Sequence, residues 1–305
     1  MKKLCFIALV LSLTGVAVAN TTDKAAKETP DSVTPLSFGI ASPIQLPGSG
    51  WDVYGLGLNI FYGQHSDLYG IDCGLVTVNT GNGAGIHVLG GVSYDGEDFD
   101  GIQLSGVGNA VMGRANALQL SGILNYTKRG FIGGQMGSFN YVDSLAGFQL
   151  GGFNWVNVNA YGLQLAGLAN TVLGGANGFQ TSGLLNYNRG EFIGAQLSSV
   201  NINGSIVGFQ AGVYNYNMAD CKAFQIGVAN ANSHDYRGWS IGAVNYTSRF
   251  RGLQIGFCNI IADTGRAVQI GAFNAATNFT GVQLGLLNII EHGTLPIMVV
   301  MNAQF

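Results

Sequence analysis

The chain is 305 residues long with a formal net charge of −3; only 10% of its residues are charged and 47% are hydrophobic. That apolar content excludes a disordered polymer, and 48 glycines without a three-residue period exclude collagen. No run of Lys or Arg supplies the concentrated positive charge that phosphate backbones need, so nucleic acid is not an expected partner.

Residues 1–19 read as a secretory signal peptide. Lys2 and Lys3 precede an apolar core from Leu4 to Gly15, and Ala17-Val-Ala19 is a small-residue cleavage site. Residues 20–35 are polar, mixed in charge and end on Pro35, which predicts a flexible tail. Cys5 leaves with the signal, and Cys73, Cys221 and Cys258 allow at most one disulfide, so bridges do not organise the fold. Beyond the signal no run of about 18 apolar residues predicts a membrane-spanning helix.

Residues 36–305 form a single repeat-built β domain. Leu36–Leu46 and the stretch from Trp51 alternate as extended chain, and degenerate units surround Asp72 and His87. The clear unit is Phe250-Arg-Gly252-Leu-Gln254-Ile-Gly256-Phe-Cys258-Asn259, nearly the same read in both directions from Gln254. Its centres are Gln103, Gln119, Gln135, Gln149, Gln164, Gln180, Gln196, Gln210, Gln225, Ser240, Gln254, Gln269 and Gln283, spaced by 14, 15 or 16 residues. An Asn follows each centre by five or six positions, and residues 101–126 match residues 162–187 at an offset of 61, four units. Alternation with period two marks each unit as strand. The Asn, Asp, Ser and Gly between units are turn formers.

Two architectures accommodate this repeat. The expected one is a closed antiparallel up-and-down β-barrel of about 18 strands, counting Leu36–Leu46 and Leu295–Phe305 as flanking strands. A strand of roughly 11 residues tilted by about 40° spans close to the ~30 Å hydrocarbon core of a bilayer. The near-palindrome fits, because antiparallel neighbours then set Gln beside Gln and Gly beside Gly. The alternative is a parallel β-solenoid with 15-residue coils bent at glycines, in which identical Gln and Asn would stack. In the barrel, Gln103, Gln119, Gln135, Gln149, Gln164, Gln180, Gln196, Gln210, Gln225, Gln254, Gln269 and Gln283 would line the lumen. The competing reading of the same series is that these side chains bond one another and stabilise the sheet.

Units such as Gly101-Ile-Gln103-Leu-Ser-Gly106 and Gly162-Leu-Gln164-Leu-Ala-Gly167 resemble a family of bacterial surface-exposed repeat proteins, over about residues 50–305. The resemblance implies an envelope location and no catalysis, and it transfers no active-site residue.

Little else points to chemistry. Asp95, Glu97, Asp98 and Asp100 are the densest acidic group and a candidate set of oxygen ligands for Ca²⁺, with a solvated turn as the simpler reading. His65, His87, His234 and His292 share no metal-ligand spacing and suit turns or rims, although His87 stands where Gln normally stands. Cys73, Cys221 and Cys258 fall in strands as small packing residues. No cofactor is expected. The functional expectation is a non-enzymatic, porin-like outer-membrane protein, a wide uncharged passive pore or structural envelope component surrounded by outer-membrane lipid. The alternative is a secreted β-solenoid that adheres to a surface or host ligand.

Overall fold

The computed structural model describes residues 32–41 and 44–305. The expected signal peptide and residues 20–31 of the expected tail lie outside the described residues. Seventeen strand segments run from Val33–Ala41 to Ile297–Gln304. Repeat units lie parallel and in register: Gly162 pairs with Gly147, Gln164 with Gln149 and Asn170 with Asn154, and the same holds from Gln254 to Gln269 to Gln283. The result is a parallel β-solenoid of about 17 turns, which overturns the closed antiparallel barrel of about 18 strands.

A single coil is not the straight rung that the barrel required. Its long arm has seven paired residues, as in Arg249–Ile255 lying on Thr264–Ile270. A corner follows, then a short arm of four, as in Val244–Thr247 lying on Cys258–Ile261. Where glycines flank the central Gln on both sides, as at Gln254, they look equivalent in the sequence and differ in backbone conformation. The one before it takes a positive φ, 143° at Gly252, where a Cβ would overlap the carbonyl oxygen of Gly238 in the coil below. The one after it stands at the corner, where a Cβ on Gly256 would overlap the Gly242 carbonyl oxygen and press on the Asn245 amide at 2.7 Å. Letter symmetry therefore reflects close backbone approach between coils at two sites, one of them also at positive φ, and in-register parallel stacking sets Gln on Gln as well as antiparallel pairing would.

Inward positions repeat from coil to coil. Four residues before the centre comes an apolar side chain, among them Phe99, Phe131, Leu145, Phe192, Ile206, Tyr236, Phe250 and Phe279, all buried. Val111, Val142, Val156, Val172, Ile261 and Ile290 close the short arm in several coils. Aliphatic and aromatic burial of this kind stabilises by roughly 1.5–3 kcal/mol per large side chain. Between the two apolar columns the interior is polar.

Both ends are covered by antiparallel strands, the only antiparallel pairings among the described residues. Val33–Ala41 lies parallel on Asp52–His65 and folds back onto Ile44–Leu46. At the other end Ile297–Gln304 lies antiparallel on Phe273–Ile290. Such caps occupy the backbone donors and acceptors that the terminal coils of a stack leave open.

Candidate functional surface

The Gln series lines no lumen. Gln103 through Gln283 are buried inside the coils, and each amide meets its counterpart one coil away. Nε2 of Gln119 donates to Oε1 of Gln103 at 2.7 Å, Gln135 to Gln119 at 2.7 Å, Gln149 to Gln135 at 2.9 Å, and the run continues to Gln225. It stops at Ser240, whose Oγ donates instead to Asn245, and resumes from Gln269 to Gln254 and from Gln283 to Gln269, both at 2.8 Å.

The Asn column runs with the opposite polarity. Nδ2 of Asn109 donates forward to Oδ1 of Asn125 at 2.9 Å, and the chain of bonds reaches Asn288 unbroken. The second Nδ2 hydrogen is used too: Asn109 donates to the Leu120 carbonyl at 3.0 Å and Asn259 to the Ile270 carbonyl at 3.0 Å. Asn has the reach to satisfy a corner carbonyl and its own neighbour together, which explains why each centre is followed by Asn. From Asn188 to Asn232 a further Asn column bonds the Gln column sideways, as in Asn203 donating to Gln196 at 2.8 Å.

The N-terminal coils fill the same interior positions with ionisable groups. Asp72 and His87 occupy the Gln register, since Asp72 pairs with His87 and His87 with Gln103. Asp72 accepts from Asn59 Nδ2 at 2.9 Å; Asp95 accepts from Asn79 Nδ2 at 2.7 Å and from Gln103 Nε2 at 2.6 Å. Burial pushes the Asp95 carboxyl up to about 7 against the hydrogen bond from Asn79, and the charge of Asp72 adds to the rise. Burial likewise raises Asp72 to about 6, and it holds His65 down to about 4 and His87 to about 3. His65 and His87 are thus core residues, not the turn or rim residues expected. Asn59 Oδ1, Asp72 Oδ2, Asn79 Oδ1 and His87 Nε2 are buried there without a hydrogen-bond partner.

The acidic group is not brought together. Asp95 points into the core, whereas Glu97, Asp98 and Asp100 are exposed and Asp98 accepts from the Arg114 amide at 2.7 Å. Among the described residues no group of three or more His, Cys, Asp or Glu is placed to hold a metal ion. Cys73, Cys221 and Cys258 are free thiols, and burial pushes Cys221 up to about 12, far from a reactive thiolate.

One surface that the protein presents outward is the long-arm face; the corners expose a further apolar column that includes Leu184, Val213, Val228, Phe257 and Leu286. The residues on either side of each centre point out and stack in two apolar columns, such as Phe148, Leu163, Phe224, Trp239 and Val268 beside Leu150, Leu165, Ile226, Ile255 and Ile270. From the His87 coil to the Gln283 coil, at about 4.8 Å per coil, this face is about 60 Å long. Along it a groove of about 510 Å³ is lined by Val88, Leu104, Leu120, Met136 and Leu150.

A third outward column, three residues before each centre, is neutral over most of its length and becomes basic at Lys222, Arg237, Arg251 and Arg266, in four consecutive coils. No two of these are adjacent in sequence, so no cluster was visible there. Their shared place in the repeat, at steps of 15, 14 and 15, was the available signal. Comparison of the chain with known protein families, with characterised proteins and with solved structures finds no match.

Proposed function

We propose that this chain is an exported, non-enzymatic surface protein, a β-solenoid that adheres through its long-arm face. The observation that carries the reading is the contrast between interior and exterior. Inside, amides are consumed by one another; outside, two columns, apolar except at Gly134 and Thr181, continue past a dozen coils with no covering layer among the described residues. Soluble proteins seldom expose contiguous apolar patches beyond a few hundred Å², and larger ones mark interaction surfaces. The signal-like N-terminus and the resemblance to bacterial surface-exposed repeat proteins support the same location.

Protease treatment of intact expressing cells tests it. The surface reading expects the chain to be cleaved on the cell or recovered in the medium, soluble without detergent. Full protection inside the envelope would refute it.

A further inference from the structure

We propose that the C-terminal third of the long-arm face docks on an anionic lipid surface, its basic column reading the headgroups and its apolar columns meeting the acyl boundary. This deepens the adhesive reading above and rests on it for the cell-surface setting only.

Nine of the Lys and Arg residues lie among the described residues, and only Lys222, Arg237, Arg251 and Arg266 stand in this long-arm column. The same position upstream carries Asp100, Asn116, Ile132, Ala146, Tyr161, Asn177, Ile193 and Val207, so the fold has no need of a cation there. Like charges on facing strands repel, and at about 4.8 Å spacing the cost recurs at every step. Among the described residues none of the four is in an ion pair; the nearby ion pair joins Arg249 to Asp235. Asp220 and Asp263 are the other acids at the adjoining turns, so five cations face three carboxylates. A groove of about 160 Å³ runs between Arg237, Arg251 and Arg266, floored by Tyr236 and Phe250.

Exposed apolar side chains lie two residues away. Trp239 is 55% exposed between Arg237 and Ile241, and Phe257 is 63% exposed at the neighbouring corner. A basic stripe flanking exposed Trp, Phe and Ile is the arrangement that holds peripheral proteins at the headgroup boundary. A soluble linear polyanion would use the stripe and leave the apolar columns in water, which is why lipid is favoured.

The purified exported protein is mixed with sedimentable vesicles of phosphatidylcholine alone, or with about a third phosphatidylglycerol. Binding is expected to the anionic vesicles only, with a blue shift of Trp emission and weakening as salt rises. The double variant Arg251→Gln, Arg266→Gln should lose about 30-fold in partitioning, at about fivefold per cation. The double variant Arg129→Gln, Arg189→Gln, which removes turn cations away from the column, should change it less than about twofold. All four positions are exposed, and an unchanged melting temperature confirms that both variants fold.

Equal loss in both variants, equal binding to neutral vesicles, or no binding would each overturn the proposal. So would capture by dextran sulfate that vesicles cannot compete away, which would assign the stripe to a polymer. Absent vesicle binding with intact cell-surface display would fell this inference alone; vesicle binding by a protein hidden from protease would fell the surface reading alone.

Discussion

Asp95 places a carboxyl where the next coil places Val111, and Asp72 places one where later coils place Gln. Both bind a proton more tightly in the folded chain than in the unfolded one, so their stabilisation is complete below about pH 4. It is lost as pH rises through about 6 for Asp72 and about 7 for Asp95. The histidines act in the opposite sense: His65 and His87 contribute above about pH 6.5, and lose this as pH falls through about 4 and about 3. The N-terminal coils are therefore weakest on the alkaline side of 7 and again in strong acid. Asp95→Asn keeps the shape and removes the charge. Its melting temperature should exceed the wild type at pH 8, with the gap closing by pH 4; a gap independent of pH would contradict the burial argument.

Among the coil elements, the amide columns make each coil depend on the two it touches. Gln164 donates to Gln149 at 2.9 Å and accepts from Gln180 at 2.6 Å. Gln164→Leu would strand the Gln149 Oε1 acceptor in the interior, while Gln180 Nε2 keeps Asn188 Oδ1 at 3.1 Å, and a buried unpaired group costs about 1–3 kcal/mol. The expected loss is about 1–3 kcal/mol in a denaturant titration. Ser240 shows that a gap is tolerated where the partners are resupplied. There Gln254 Nε2 turns to Thr247 at 3.5 Å, and the Tyr236 hydroxyl of the same coil is satisfied by the Ala223 and Trp239 carbonyls. Gln164→Leu leaves the Gln149 acceptor with no such replacement. An unchanged midpoint would mean that the column adds order without stability.

For the solenoid as a whole, stability approximates a sum over coils and their interfaces, with the end coils exposed unless capped. Ile297–Gln304 covers the coil of Gln283 and Asn288. Deleting residues 297–305 would bare a flat parallel edge with unpaired backbone groups, the template for edge-to-edge association. Sedimentation velocity should show concentration-dependent oligomers for the truncated chain and a smaller species for the intact one; identical profiles would assign the strand another role.

The repeat length, the strand periodicity, the inward Gln and the Asn that follows it were legible in the linear order of residues, whereas the corner at Gly256 was not. Each is enforced within one coil by alternation and by backbone sterics. Strand direction was not legible, because a near-symmetric unit stacks on itself in either sense. It was decided by contacts between coils: the close approach of Gly252 to the Gly238 carbonyl, and an Asn amide that bonds both its counterpart and a corner carbonyl. The buried His65 and His87 and the basic column from Lys222 to Arg266 escaped notice for the same reason. Residues about 15 positions apart become neighbours only when the chain has been wound.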